Sequence, residues 1–78
     1  MSPHEIEVGK TYHNGKEGPR SYSARKVMGI GVRWFEPFNG RMRHDGVEYM
    51  QVAGPKKGGV YLLPLQTISR WAKGEVTD

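Results

Sequence analysis

The sequence predicts a mainly β domain, a small antiparallel barrel of four to five strands with a short C-terminal helix. Three features of the 78-residue chain point there. Residues 21–34 (SYSARKVMGIGVRW) form the longest run that one strand can hold, with apolar side chains on both parities. Shorter strand-like runs at 8–13, 47–52 and 60–63 are set off by turn-forming residues. Near the C-terminus the apolar period changes from strand to helix.

The central run is the organising element. Side chains alternate across a strand, so Val27 lies on one face while Met28 and Ile30 lie on the other. Gly29 and Gly31 sit where the pattern shifts, and glycine inside a strand marks a bulge or sharp bend. A long, strongly curved strand that serves two sides of a barrel satisfies both observations.

The remaining elements follow in order. Residues 1–7 read as a loose leader, with Pro3 opposing early regular structure, in an otherwise single domain spanning 1–78. The run 8–13 (VGKTYH) is a first strand, followed by Asn14-Gly15 and a charged loop. Pro37, Asn39-Gly40 and Asp45-Gly46 place three breakers within 36–46, which reads as loop or paired turns. The run 47–52 (VEYMQV) is a strand, 54–59 (GPKKGG) a hairpin loop, and 60–63 (VYLL) the last strand. Leu65, Ile68, Trp71 and Ala72 then share one helical face, with Pro64 suited to the first turn and Gly74 to the position past the end. Such a short helix is marginal alone in water and must dock, with Trp71 plugging one end of the barrel. The arrangement is that of an SH3-like or Tudor-like barrel.

A domain of this size has a small core, here expected to draw on its eight aromatic residues. With no cysteine, neither a disulfide nor a thiolate metal site can staple it. No apolar run is long enough to span a membrane, and residues 1–10 lack the apolar stretch of a signal peptide. Cytoplasmic placement is the expectation.

Several motif fragments carry no chemistry. Gly9-Lys10-Thr11 lacks the glycine a phosphate-binding loop requires, because His4 stands there. Gly29-Ile30-Gly31 lacks a third glycine and leads into a strand rather than a helix. His4, His13 and His44 are too far apart in sequence to suggest a metal site. Ser21, Ser23, Thr67 and Ser69 lie in no nucleophile elbow, and Glu36, Asp45 and Glu48 sit near turns. The reading is a non-enzymatic module with no cofactor and no metal.

Charge gives the functional candidate. The net charge is +4, and positions 16–43 hold Lys16, Arg20, Arg25, Lys26, Arg33, Arg41 and Arg43 against Glu17 and Glu36. This local excess favours a polyanionic partner. Arg25, Lys26, Arg33, Arg41 and Arg43 offer cations to phosphate, Trp34 and Phe38 offer rings for stacking, and Lys56 and Lys57 extend the set from a hairpin tip. Trp34 and Phe35 are neighbours in a strand, so a regular strand buries at most one of them. Exposed aromatics beside arginine serve protein recognition equally. The expectation is nucleic-acid binding through a basic rim by a monomer or weak homo-oligomer; the alternatives are a protein-interaction module, an inhibitor or adaptor of a host protein, and a small homo-oligomeric structural protein.

The segments VGKTYHNGK, ARKVMGIG and LQTISRWAKGEV resemble short open reading frames of tailed phages and prophages. Those proteins share a V-G-K-T-Y start, an R-K-V segment and an aliphatic-x-x-W-A close, matched here by residues 8–12, 25–27 and Ile68 with Trp71-Ala72. The resemblance implies phage or prophage origin and transfers no site residues. A weaker likeness is to KOW and Tudor barrels, which bind RNA or peptide through loops on one rim.

Overall fold

The computed structural model describes residues 1–77. A 3-10 turn at Pro3–Glu5 leads to β1 (Thr11–His13), β2 (Ala24–Phe35), β3 (Met42–Ala53), β4 (Val60–Pro64), α1 (Leu65–Trp71) and β5 (Gly74–Glu75). All the strand pairings are antiparallel and join one open sheet in the order β4-β3-β2-β1-β5. The domain is therefore mainly β with a short C-terminal helix. Its edges, β4 and β5, are not hydrogen-bonded to each other among the described residues. The inner face is covered by α1 and the N-terminal turn.

β2 has the irregular build its glycines predict. Its register against β3 shifts between Val27 and Gly29 and again between Ile30 and Val32. Gly31 holds φ +84°, a left-handed conformation that a side chain would strain. The first shift brings Ile30 opposite the buried Val47 while the buried Val27 stays opposite Tyr49, and Ile30 itself remains 37% exposed. Met28, expected on the same face as Ile30, is the displaced residue.

β3 is longer at its start than the sequence suggests. Asp45-Gly46 is strand rather than turn, since β3 runs without interruption from Met42. Gly46 is there for space: a Cβ on it would lie 2.5 Å from the Val32 carbonyl oxygen and 3.2 Å from the Trp34 ring. β4 pairs with β3 only as far as Gly46, so beyond that row β2 and β3 continue as a two-stranded arm. The molecule is correspondingly elongated, 38 × 24 × 18 Å.

The core comprises Ile6, Tyr12, Val27, Val47, Tyr49, Ile68 and Ala72, with Met1, Leu63, Leu65 and Trp71 packed against it. Only two of the eight aromatics, Tyr12 and Tyr49, are buried. The leader is not loose: Ile6 is in the core, and the buried Tyr12 hydroxyl donates to the Glu5 carbonyl and accepts from the Glu7 amide. The Met1 amino group donates to the Ser69 and Ala72 carbonyls at 2.8 and 3.0 Å. Lys10 pairs with both Glu7 and Glu75, and hydrogen bonding to Glu7 first and Glu75 second pushes its ammonium above its ordinary value.

α1 docks as its periodicity requires, burying Ile68 and Ser69. Pro64 precedes the helix in an extended conformation instead of lying in its first turn. The helix ends at Trp71 because the chain turns extended at Ala72. Gly74 then pairs with His13 as the start of β5, a role the sequence does not announce.

Candidate functional site

The residues expected to form one basic rim fall into three places. Arg33, Trp34, Phe38, Arg41 and Arg43 lie on the arm and its tip. Lys26 is exposed and pairs with Met50, on the outer side of the sheet. Arg25 pairs with Gln51 at the opposite end of the hairpin, near the β3–β4 loop that holds Lys56 and Lys57. Nine residues of strand separate Arg25 from Trp34, on the order of 25–30 Å at about 3.3 Å per residue.

The arm is exposed but internally paired. Phe38 is 93% exposed at the tip and Phe35 is 67% exposed, whereas Trp34 is half-buried. Trp34 Nε1 donates to Asp45 Oδ1 at 2.7 Å, and Phe35 is the more exposed of the two neighbours. The Arg43 guanidinium lies between two carboxylates, donating to Glu36 Oε1 at 2.8 Å and Asp45 Oδ2 at 3.4 Å. The hydrogen bonds from Arg43 and then Asn39 hold the Glu36 carboxyl below its ordinary range. Arg43 therefore spends much of its charge within the arm. Arg33 and Arg41 are exposed there and form no ion pair with a described residue.

At the other end, strands and loops enclose an open cleft of about 360 Å3. The segment before β2 supplies Arg20, Ser21 and Ser23; β2 supplies Arg25; β3 supplies Tyr49 and Gln51. The β3–β4 loop adds Pro55 and Lys56, and β4 adds Tyr61. Three cations line this cleft and, among the described residues, no carboxylate does.

Arg25 is the centre of the cleft. Its guanidinium carbon lies 4.2 Å from the Trp71 ring centroid and 4.7 Å from that of Tyr49. Such cation–π contacts offset part of the cost of desolvating the charge. Nε donates to Gln51 Oε1 at 3.2 Å, and Gln51 is itself fixed by donating to the Ala53 carbonyl at 2.7 Å. Burial lowers the Arg25 pKa from its ordinary value, though a guanidinium remains charged throughout the physiological range.

Tyr61 lies next to this group. Its ring is tilted against Tyr49 with centroids 5.9 Å apart, and Lys56 Nζ is 6.0 Å from its centroid. A Cβ on Gly59 would come within 2.3 Å of the Tyr61 hydroxyl, so glycine there makes room for the ring. Tyr61 remains 38% exposed.

A second, shallower cleft beside β1 and β5 is lined by Lys16 but also by Glu17 and Glu75. Among the described residues no three His, Asp or Glu side chains converge as metal ligands, and no helix is long and apolar enough to cross a membrane. Of the predicted set, the structure brings Arg25 and Lys56 together with Arg20, Gln51 and Tyr61. Arg20 was visible as part of the basic excess. Tyr61 gave no signal, because a tyrosine in a short strand normally reads as core.

No family model matches the chain, and no curated protein or solved structure does either.

Proposed function

We propose that this protein is a non-enzymatic nucleic-acid-binding module, of the phage or prophage kind its sequence resembles. The observation that supports this reading is one cleft, with no carboxylate in its lining among the described residues, that Arg20, Arg25 and Lys56 line together with the partly exposed Tyr61. Cations that neutralise phosphate beside an aromatic platform are what sequence-tolerant binding of nucleic acid uses. Lys57 extends the positive surface along the same loop, and Arg33, Arg41 and Phe38 offer a separate contact on the arm. An anisotropy titration of labelled nucleic acid at several salt concentrations tests the reading. Three to four phosphate contacts give a slope of log affinity against log salt of about −2 to −3. A slope near zero would contradict it.

A second reading, a protein-interaction module such as an inhibitor or adaptor of a host protein, is favoured by the outer face of the sheet. There Val60 and Leu62, paired with Met50 and Glu48, continue towards Phe35 and Met42, and four of these apolar side chains are more than 40% exposed. Exposed large apolar side chains gathered on one sheet face suit an interaction surface. Binding partners retained from lysate after nuclease treatment would favour this reading.

A further inference from the structure

An arginine desolvated inside a protein ordinarily has a carboxylate beside it. Arg25 has none among the described residues: its guanidinium carbon lies 4.7 and 4.2 Å from the ring centroids of Tyr49 and Trp71, and its Nε is taken by Gln51. Among the described residues no buried side-chain nitrogen or oxygen lacks a hydrogen-bond partner. The two terminal Nη groups make no hydrogen bond among the described residues and are therefore not fully buried, and the residue lines the cleft. A guanidinium so held presents a fixed pair of donors that matches the spacing of two phosphate oxygens.

The opposite wall has a second unusual feature. Lys56 is the one non-glycine among the described residues with positive φ, at +61°. Glycine would adopt that backbone at lower cost, and residues held in sparsely populated regions cluster at ligand sites. The lysine sets its ammonium near Tyr61. An aromatic platform, a donor fork and a second cation thus share a cleft whose volume falls within the range of small-ligand sites.

Resting on the nucleic-acid reading above, we propose that this cleft holds one unstacked nucleotide. Its phosphate sits on the Arg25 fork and Lys56, and its base stacks on Tyr61. The protein then selects single-stranded over duplex nucleic acid, because a paired base cannot leave its stack to reach Tyr61 without a cost in unpairing.

The test compares a labelled single-stranded oligonucleotide with the same sequence as duplex, using wild type, Tyr61→Ala, Tyr61→Phe and Arg25→Lys. Thermal melts establish that each variant is folded. The expected result is single-strand affinity at least about tenfold above duplex affinity. Tyr61→Ala should lose roughly tenfold of it, consistent with one stacked base. Tyr61→Phe should keep it, and Arg25→Lys, which preserves charge but not the fork, should lose a similar factor. Tyr61 is partly exposed, so its variants keep the proposal testable if Arg25→Lys fails to fold. A nucleoside monophosphate should also shift the backbone amide resonances of Gln51, Lys56 and Tyr61 more than the unphosphorylated nucleoside does. Equal affinity for single strand and duplex, unchanged by Tyr61→Ala, would overturn the single-nucleotide site while leaving nucleic-acid binding intact. Absence of binding to either form would overturn both.

Discussion

The guanidinium of Arg25 lies 4.2 Å from the centre of the Trp71 ring, joining the start of β2 to the last turn of α1. Trp71 is half-buried and packs against the core, so it does more than plug an end of the sheet. It also packs against Arg25, one of the three cations that line the cleft. Trp71→Ala is expected to cost about 2–4 kcal/mol, read from urea denaturation, and Trp71→Phe about 1.5 kcal/mol or less. A neutral Trp71→Ala would mean that the helix does not depend on this contact.

The N-terminal turn contributes to the fold. Ile6→Ala should destabilise the domain by about 2–4 kcal/mol. Tyr12→Phe should cost about 1–3 kcal/mol, because it strips a partner from both the Glu7 amide and the Glu5 carbonyl. Amide exchange should quicken at residues 5–7 in Tyr12→Phe. Exchange and stability both unchanged would show that the turn is not anchored by this hydroxyl.

Gly46 should not tolerate a side chain. A methyl group there meets the Val32 carbonyl, and backbone on the paired strand must move to admit it. Gly46→Ala is expected to cost about 1–3 kcal/mol and to shift the indole resonance of Trp34. Wild-type stability in the variant would contradict the close approach of β2 and β3.

The arm should respond to acid. The Glu36 carboxyl is held below its ordinary value by Arg43 and Asn39, so the folded arm favours the charged form. The resulting stabilisation is present above the carboxyl's unfolded value and is lost as pH falls through the lowered folded one. Amide resonances of the arm tip at Glu36, Asn39 and Arg43 should therefore titrate together in the acid range. In Arg43→Ala the Glu36 titration should move upward, and an unmoved midpoint would refute the pairing.

The fold was legible where local rules and tertiary packing agree. Gly29 and Gly31 sit among apolar residues of both parities, and the bulges are there. Leu65, Ile68, Trp71 and Ala72 share a helical face, and that face docks. Asp45-Gly46 misled because the glycine serves a close approach between strands, which composition cannot distinguish from a turn. Residues 1–7 misled because Ile6 stands alone among polar neighbours, and the groups that anchor the turn, the Tyr12 hydroxyl and the Ser69 and Ala72 carbonyls, lie outside it in sequence. The basic set was recognised by charge alone. Register then separated it, placing Arg25 inside, Lys26 outside and Arg43 between two carboxylates. Tyr61 became a site residue only through its neighbours Gly59, Lys56 and Tyr49.

Amide chemical-shift mapping with a single-stranded oligonucleotide tests the central claim most directly. Perturbations should cluster at Ser21, Ser23, Arg25, Gln51, Lys56 and Tyr61, together with the Trp71 indole, and should diminish as salt is raised. Perturbations confined to the arm tip at 38–43 or to the outer face around Leu62, or none at all, would contradict the assignment of the Arg25 cleft as the binding surface.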